Sequence, residues 1–227
     1  MIRRVLPLGF ALALFSCGGG NGSPPAPSST TTTVPANRAP VISSVTATPS
    51  FGIMGVSAFS FAALASDPDG DTVTYTWDIA GNARTGPNVG PVTFTSGSGV
   101  QNATVTVTDG RGGSSTGSAS FIIGNMTGRW VGTMPGFSLT YNFTQSTTGT
   151  LTATFTTVGQ GLTVVGILDP ASPNTITSGG RVTFRSKITN GGFLDYTIVG
   201  DMDNTGARFS GSVTGSGLNG PVTLTKQ

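Results

Sequence analysis

The chain has no histidine and no glutamate, a single cysteine, and charged residues at only 9% of its 227 positions. Zinc, haem and iron–sulfur centres therefore lack their ligands. A Ser-His-Asp or Cys-His nucleophile has no imidazole to activate it. Lys and Arg together number 11, too few for a nucleic-acid stripe, so nucleic acid is excluded as a partner. All 9 acids are Asp. Neither their spacing nor that of Lys187 and Lys226 against a serine marks a hydrolase or acyl-transfer site, and the chain reads as non-catalytic. One cysteine leaves no disulfide, so the fold must stand on its core. The helical period appears nowhere in the folded region. What is abundant is Gly (35) and Pro (14), just under the level that signals disorder.

Residues 1–17 read MIRRVLPLGFALALFSC. Arg3 and Arg4 form a basic start, and the apolar stretch from Val5 to Phe15 suits a secretory leader but is too short to span a bilayer. The end of that stretch, Leu14-Phe15-Ser16-Cys17, resembles the lipobox of bacterial lipoproteins. The resemblance implies a leader over 1–16, with Cys17 as the acylated first residue of the mature chain and the membrane as its partner through lipid. Several acyl chains hold a protein firmly, at about 0.8 kcal/mol per buried CH₂. The expected location is the bacterial cell envelope, lipid-anchored. Gly18 stands where an Asp retains Gram-negative lipoproteins in the inner membrane, which favours the outer membrane if the source is Gram-negative. Losing Arg3 and Arg4 with the leader balances 11 bases against 9 acids. The mature chain is near neutral, and no electrostatic steering follows.

After Cys17 the stretch up to residue 37, GGGNGSPPAPSSTTTTVPAN, has almost no large apolar group and is expected to be a disordered tether. As a coil it spans roughly 25 Å.

Over 38–124 the period becomes two. Val73, Tyr75, Trp77 and Ile79 share one face of a strand, with Thr72, Thr74, Thr76 and Asp78 on the other. Phe59 and Phe61, Val92 and Phe94, Val105 and Val107, and Phe121 and Ile123 mark further strands. Turn signals separate them: Asp67-Pro68-Asp69-Gly70, Gly86-Pro87-Asn88 and Asp109-Gly110-Arg111-Gly112-Gly113. Six or seven short strands predict a β-sandwich, with Trp77 in its core. Ala39-Pro40-Val41-Ile42, Ala65 to Asp71, Tyr75-Thr76-Trp77-Asp78 and Val105 to Gly113 together resemble a PKD-type or related bacterial immunoglobulin-like domain. The PKD pattern is broken after the Trp, where Ile79-Ala80-Gly81-Asn82 stands. Such domains are commonly spacers or binding modules on surface proteins. The resemblance also raises a structural calcium held by Asn37, Asp67 and Asp69. The competing account is a Pro-containing turn in which the Asp side chains cap backbone amides. No other cofactor is implied.

Residues 125–227 alternate too, in eight candidate strands near 128–134, 137–145, 149–157, 162–168, 180–189, 193–200, 206–213 and 219–226. Phe137, Leu139, Tyr141 and Phe143 share a face, as do Leu151, Ala153 and Phe155, then Val182, Phe184 and Ile188, then Val222 and Leu224. Short joints make consecutive strands antiparallel neighbours, and eight such strands close most simply into an up-and-down barrel without exposed edges. Asp201 to Gly206 reads as a hairpin turn rather than a calcium loop. The opening Gly128-Arg129-Trp130 resembles that of lipocalin-like and avidin-like barrels. In lipocalins that Trp plugs the closed end and a basic residue from a late strand packs on it, here Arg208 or Lys226. An eight-stranded barrel is either filled by its own side chains or holds one small ligand.

The expected protein is thus all-β, an Ig-like sandwich and then a barrel, behind a leader and a tether. It presents two β domains for binding or for envelope structure, with a protein, a glycan or a small apolar molecule as partner. The alternative is a lipocalin-like carrier. Replacing Cys17 with Ala is expected to move the protein from the membrane to the soluble fraction of lysed cells. Retention in the membrane fraction contradicts the anchor.

Overall fold

Alternation of apolar and polar residues dictates strands throughout, and the computed structural model of the chain contains no helix among its described residues, 34–190 and 195–227. Cys17, the leader and nearly all of the tether lie outside them.

The first eight strands are β1 (Val41–Thr48), β2 (Phe51–Ile53), β3 (Ala58–Ser66), β4 (Thr74–Ile79), β5 (Asn82–Thr85), β6 (Asn88–Thr93), β7 (Gly99–Thr108) and β8 (Ser114–Gly124). They form a three-stranded sheet, β1-β3-β6, facing a five-stranded sheet, β2-β8-β7-β4-β5. Every pairing is antiparallel except that of β2 with β8. This is an Ig-like sandwich. Its core is aromatic: Phe121 lies 5.0 Å from Phe59 and 5.1 Å from Phe61, ring centre to ring centre. Trp77 is buried and donates its indole N–H to Gly86 O at 2.9 Å. Alternation does not mark β1, β2 or β5: the sequence offers Val41-Ile42 only as part of the Ig-like opening, and β2 and β5 are short with no period-two pattern.

The remaining strands are β9 (Gly128–Met134), β10 (Phe137–Gln145), β11 (Leu151–Gly159), β12 (Leu162–Leu168), β13 (Thr175–Ile176), β14 (Arg181–Ile188), β15 (Tyr196–Met202), β16 (Arg208–Gly215) and β17 (Leu218–Lys226). They run as a meander. Pairing of β17 with β9 and of β12 with β14 closes eight of them into an antiparallel barrel, with the two-residue β13 lying on β14. Each apolar face expected from the alternation points inward.

The barrel is filled. Trp130, Tyr141, Phe143, Phe155, Phe184, Tyr196 and Phe209 occupy its interior with aliphatic side chains between them. Tyr141 stacks on Phe143 at 5.1 Å and meets Phe184 edge-on at 5.3 Å. A small polar cluster sits among them. The Tyr141 hydroxyl lies 2.9 Å from Ser186 Oγ and 3.0 Å from Tyr196 Oη, which is 3.2 Å from Thr157 Oγ1. These bonds satisfy groups that would be costly to bury alone. Burial raises the Tyr141 pKa well above its usual range, so it remains a neutral phenol.

The two cores meet through β2. Ile53 is fully buried in the barrel core, with Phe51 and Val56 packed against that cluster, while the next residue, Met54, belongs to the sandwich core. Gln145, at the end of β10, bridges the two modules. Its amide donates to Met54 O at 2.8 Å and its carbonyl accepts from Met126 N at 2.9 Å. Ser57 Oγ donates to Ser178 O at 3.0 Å. Gly55 makes this approach possible. Its φ is 73°, and a Cβ there would collide with the Thr147 backbone. Residues 37–227 accordingly form one compact unit.

Ile53→Ala removes a side chain from the barrel core without touching a barrel strand. It is expected to lower unfolding free energy by about 2–4 kcal/mol, measured by urea titration. A loss below about 0.5 kcal/mol, the level of ordinary surface substitutions, contradicts the placement.

Candidate functional site

Charge is concentrated where the chain enters the sandwich. Arg38 clasps Asp69 three times: its backbone N–H at 2.7 Å, Nε at 2.8 Å and Nη2 at 2.7 Å. Asp67 Oδ1 accepts from the amides of Asp69 at 2.8 Å and Asp71 at 3.2 Å. Arg111 pairs with Asp71 at 3.1 Å. Asn37 turns the other way, donating Nδ2–H to Asp109 Oδ2 at 2.7 Å. Asp109 Oδ1 accepts from the amides of Arg111 at 2.7 Å and Gly113 at 3.0 Å.

Asn37, Asp67 and Asp69 lie in one corner, each with protein partners of its own. Asp67 caps a turn, Asp69 is taken by Arg38 and Asn37 by Asp109. Among the described residues, the buried side-chain oxygens without a partner are Asp67 Oδ2 and Asp71 Oδ2. Among the described residues no three acidic side chains gather as a metal set. The Arg38 side-chain hydrogen bond, aided by its backbone amide, holds the Asp69 carboxyl below its ordinary pKa. The Asn37 hydrogen bond and the Arg111 and Gly113 amides do the same for Asp109 against the desolvation that opposes them. Both carboxylates thus stabilise the fold above the usual Asp range, and that contribution is lost as pH falls through the depressed values.

At the opposite end of the sandwich, the start of the barrel is sealed by Trp130. It is fully buried and donates Nε1–H to Met126 O at 2.7 Å. The residue over its ring is Lys226, whose Nζ lies 5.8 Å from the ring centre and donates to Asn125 O at 2.7 Å. Partial burial lowers the Lys226 pKa. Of the two basic residues considered from sequence, Lys226 takes this place.

Asp201 pairs outward with Arg181 at 2.9 Å. Asp203 Oδ1 accepts from Thr205 Oγ1 at 2.7 Å and from the Thr205 and Arg208 amides at 3.2 Å each. That segment is a hairpin turn. Sequence reasoning missed Gln145 and Ser57, the polar residues of the junction. An isolated glutamine or serine in a Thr-rich strand gives no signal of a buried partner.

Residues 37–122 match the family model described as a bacterial Ig domain, less than half of the chain. No curated protein matches the chain. A solved structure described as "Structural basis for the promiscuous specificity of the carbohydrate-binding modules from the beta-sandwich super family" is similar at 19% identity and a TM-score of 0.36, covering 85% of this chain and 86% of that one. A likeness at that score carries no argument about shape or ligand.

With every named corner side chain already partnered by protein, the melting temperature at neutral pH is expected to be the same in excess calcium as in chelator, and lower in both at about pH 3. A rise of several degrees with calcium shows instead that Asp67 and Asp71 recruit an ion through their spare oxygens.

Proposed function

We propose that the protein is a non-catalytic, lipid-anchored component of a bacterial envelope, in which the Ig-like sandwich is a rigid stalk that presents the barrel away from the membrane. One observation carries this. The chain enters the sandwich at Asn37, beside the β3–β4 and β7–β8 turns, whereas the barrel joins at the far end of β8. An 11-residue strand separates the two ends, roughly 35 Å of extended chain. Acylation of Cys17 and the tether would place the Asn37 end towards the bilayer, facing the outer membrane in a Gram-negative cell.

The PKD-like landmarks of the sandwich and the lipocalin-like opening of the barrel support a plan of spacer followed by display module. The filled interior favours use of the barrel's outer wall over carriage of a small molecule within it. A non-catalytic role suits a chain without histidine or glutamate.

The arrangement is testable in liposomes. If Cys17 is acylated, a cysteine introduced at exposed Gln160, on the turn between β11 and β12, takes a dye selectively. So does one at exposed Arg111, beside the entry corner. An acceptor in the bilayer is expected to quench the dye at 111 strongly and the dye at 160 weakly. Equal quenching means the stalk does not hold the barrel away.

A further inference from the structure

The outer wall of the barrel is not uniform. Strands β9 to β12 contain no acidic residue. Across them and onto β14, direct cross-strand register sets one row: Arg129, Asn142, Thr154, Ile167, Lys187. All five are exposed. Four inter-strand steps make the row roughly 19 Å long. A surface trough of about 510 Å³ lies over its middle, lined by Asn142, Thr144, Thr152, Thr154, Ile167 and Pro170 among others.

Three properties of the row point to a ligand. Arg129 and Lys187 stand at its ends without an ion pair among the described residues, and all nine acids of the chain are among those residues. The other exposed cations of β14 differ, since Arg181 pairs with Asp201 and Arg185 with Asp169 and Asp195. The amide and hydroxyl heads of Asn142, Thr144, Thr152 and Thr154 have no protein partner among the described residues and stay available for hydrogen bonds. Ile167, 39% exposed, supplies an apolar floor in the middle, continued by Val165 at 39%.

A ligand complementary to this row has hydroxyls along its length, C–H faces for the aliphatic floor and negative charge reaching both ends. We propose that this wall binds an anionic oligosaccharide, with its charged groups on Arg129 and Lys187 and its hydroxyls on Asn142 and the threonines. A nucleic acid fits poorly, because no aromatic side chain lies on the row to stack a base. A bilayer surface fits poorly, because two cations give little attraction to anionic lipid. The inference gives a ligand class to the displayed barrel but needs neither the lipid anchor nor the stalk geometry. Its failure would leave the liposome quenching result standing.

The test is calorimetric titration of the full-length protein in neutral detergent at low salt. The probes are oligogalacturonate, neutral dextran oligosaccharide of similar length, and inorganic polyphosphate of similar charge. Oligogalacturonate is expected to bind at least about tenfold more tightly than the other two, and Arg129→Ala with Lys187→Ala to weaken it about tenfold or more. Arg181→Ala, on the paired cation, is expected to leave it unchanged. Both changes are on the surface, and an unaltered melting temperature confirms folding. No binding of oligogalacturonate overturns the proposal. So does polyphosphate binding equally well, which reports charge alone, or a double variant that binds as tightly as the parent.

Discussion

One short strand and the residue that follows it serve two cores. Ile53 faces into the barrel and Met54 into the sandwich, so the burial that stabilises one module also positions the other. Apolar burial has no direction of its own, and the orientation comes from the polar groups around it. Gln145 satisfies Met54 O and Met126 N together, and each would be costly to leave bare. Gly55 lets the turn at Thr147 approach to backbone contact. The sandwich and barrel are therefore not beads on a string. Fixed geometry between them follows from which side chains are buried where.

Scarcity of charge shapes the rest. With 9% charged residues, the few ion pairs do local work. Arg38 and Asn37 fasten the incoming chain to Asp69 and Asp109, and Arg181 and Arg185 are absorbed by their own aspartates. Exposed pairs of this kind add little to stability. They fix where the chain starts and, among the described residues, pair Arg38, Arg111, Arg181 and Arg185. On the barrel wall, Arg129 and Lys187, neither in an ion pair among the described residues, flank a neutral, hydroxyl-bearing row.

Much of the fold was legible in the sequence because half-buried strands alternate. Tyr141, Phe155, Phe184 and Leu224 were placed on inward faces by period alone, and short turns forced a meander that had to close. Other features left no such trace. Strands β2 and β5 are too short to show a period. The pairing of β12 with β14 is the neighbour contact that the eight-strand meander expects, but β13, two residues in the connection between them, is too short to show a period. The corner was legible as a cluster, but its wiring was not. Asn37 pairs with Asp109 rather than with Asp67 and Asp69, a choice made by the loop geometry of three separate turns. The choice of Lys226 over Arg208 at Trp130 depended on which β-strand neighbours β9 at its start. Ser186 and Thr157, buried polar residues in inward positions, gave no signal of their own and are partners of Tyr141 and Tyr196.

Each module holds one tryptophan, Trp77 in the sandwich and Trp130 in the barrel. The most direct measurement follows urea unfolding by fluorescence in two variants, Trp130→Phe and Trp77→Phe, each with Ile53 intact or changed to Ala. If β2 binds the cores into one cooperative unit, the Ile53→Ala change lowers the midpoint reported by Trp77 as much as that reported by Trp130. A Trp77 midpoint that stays in place while the Trp130 midpoint falls would show that the modules unfold independently.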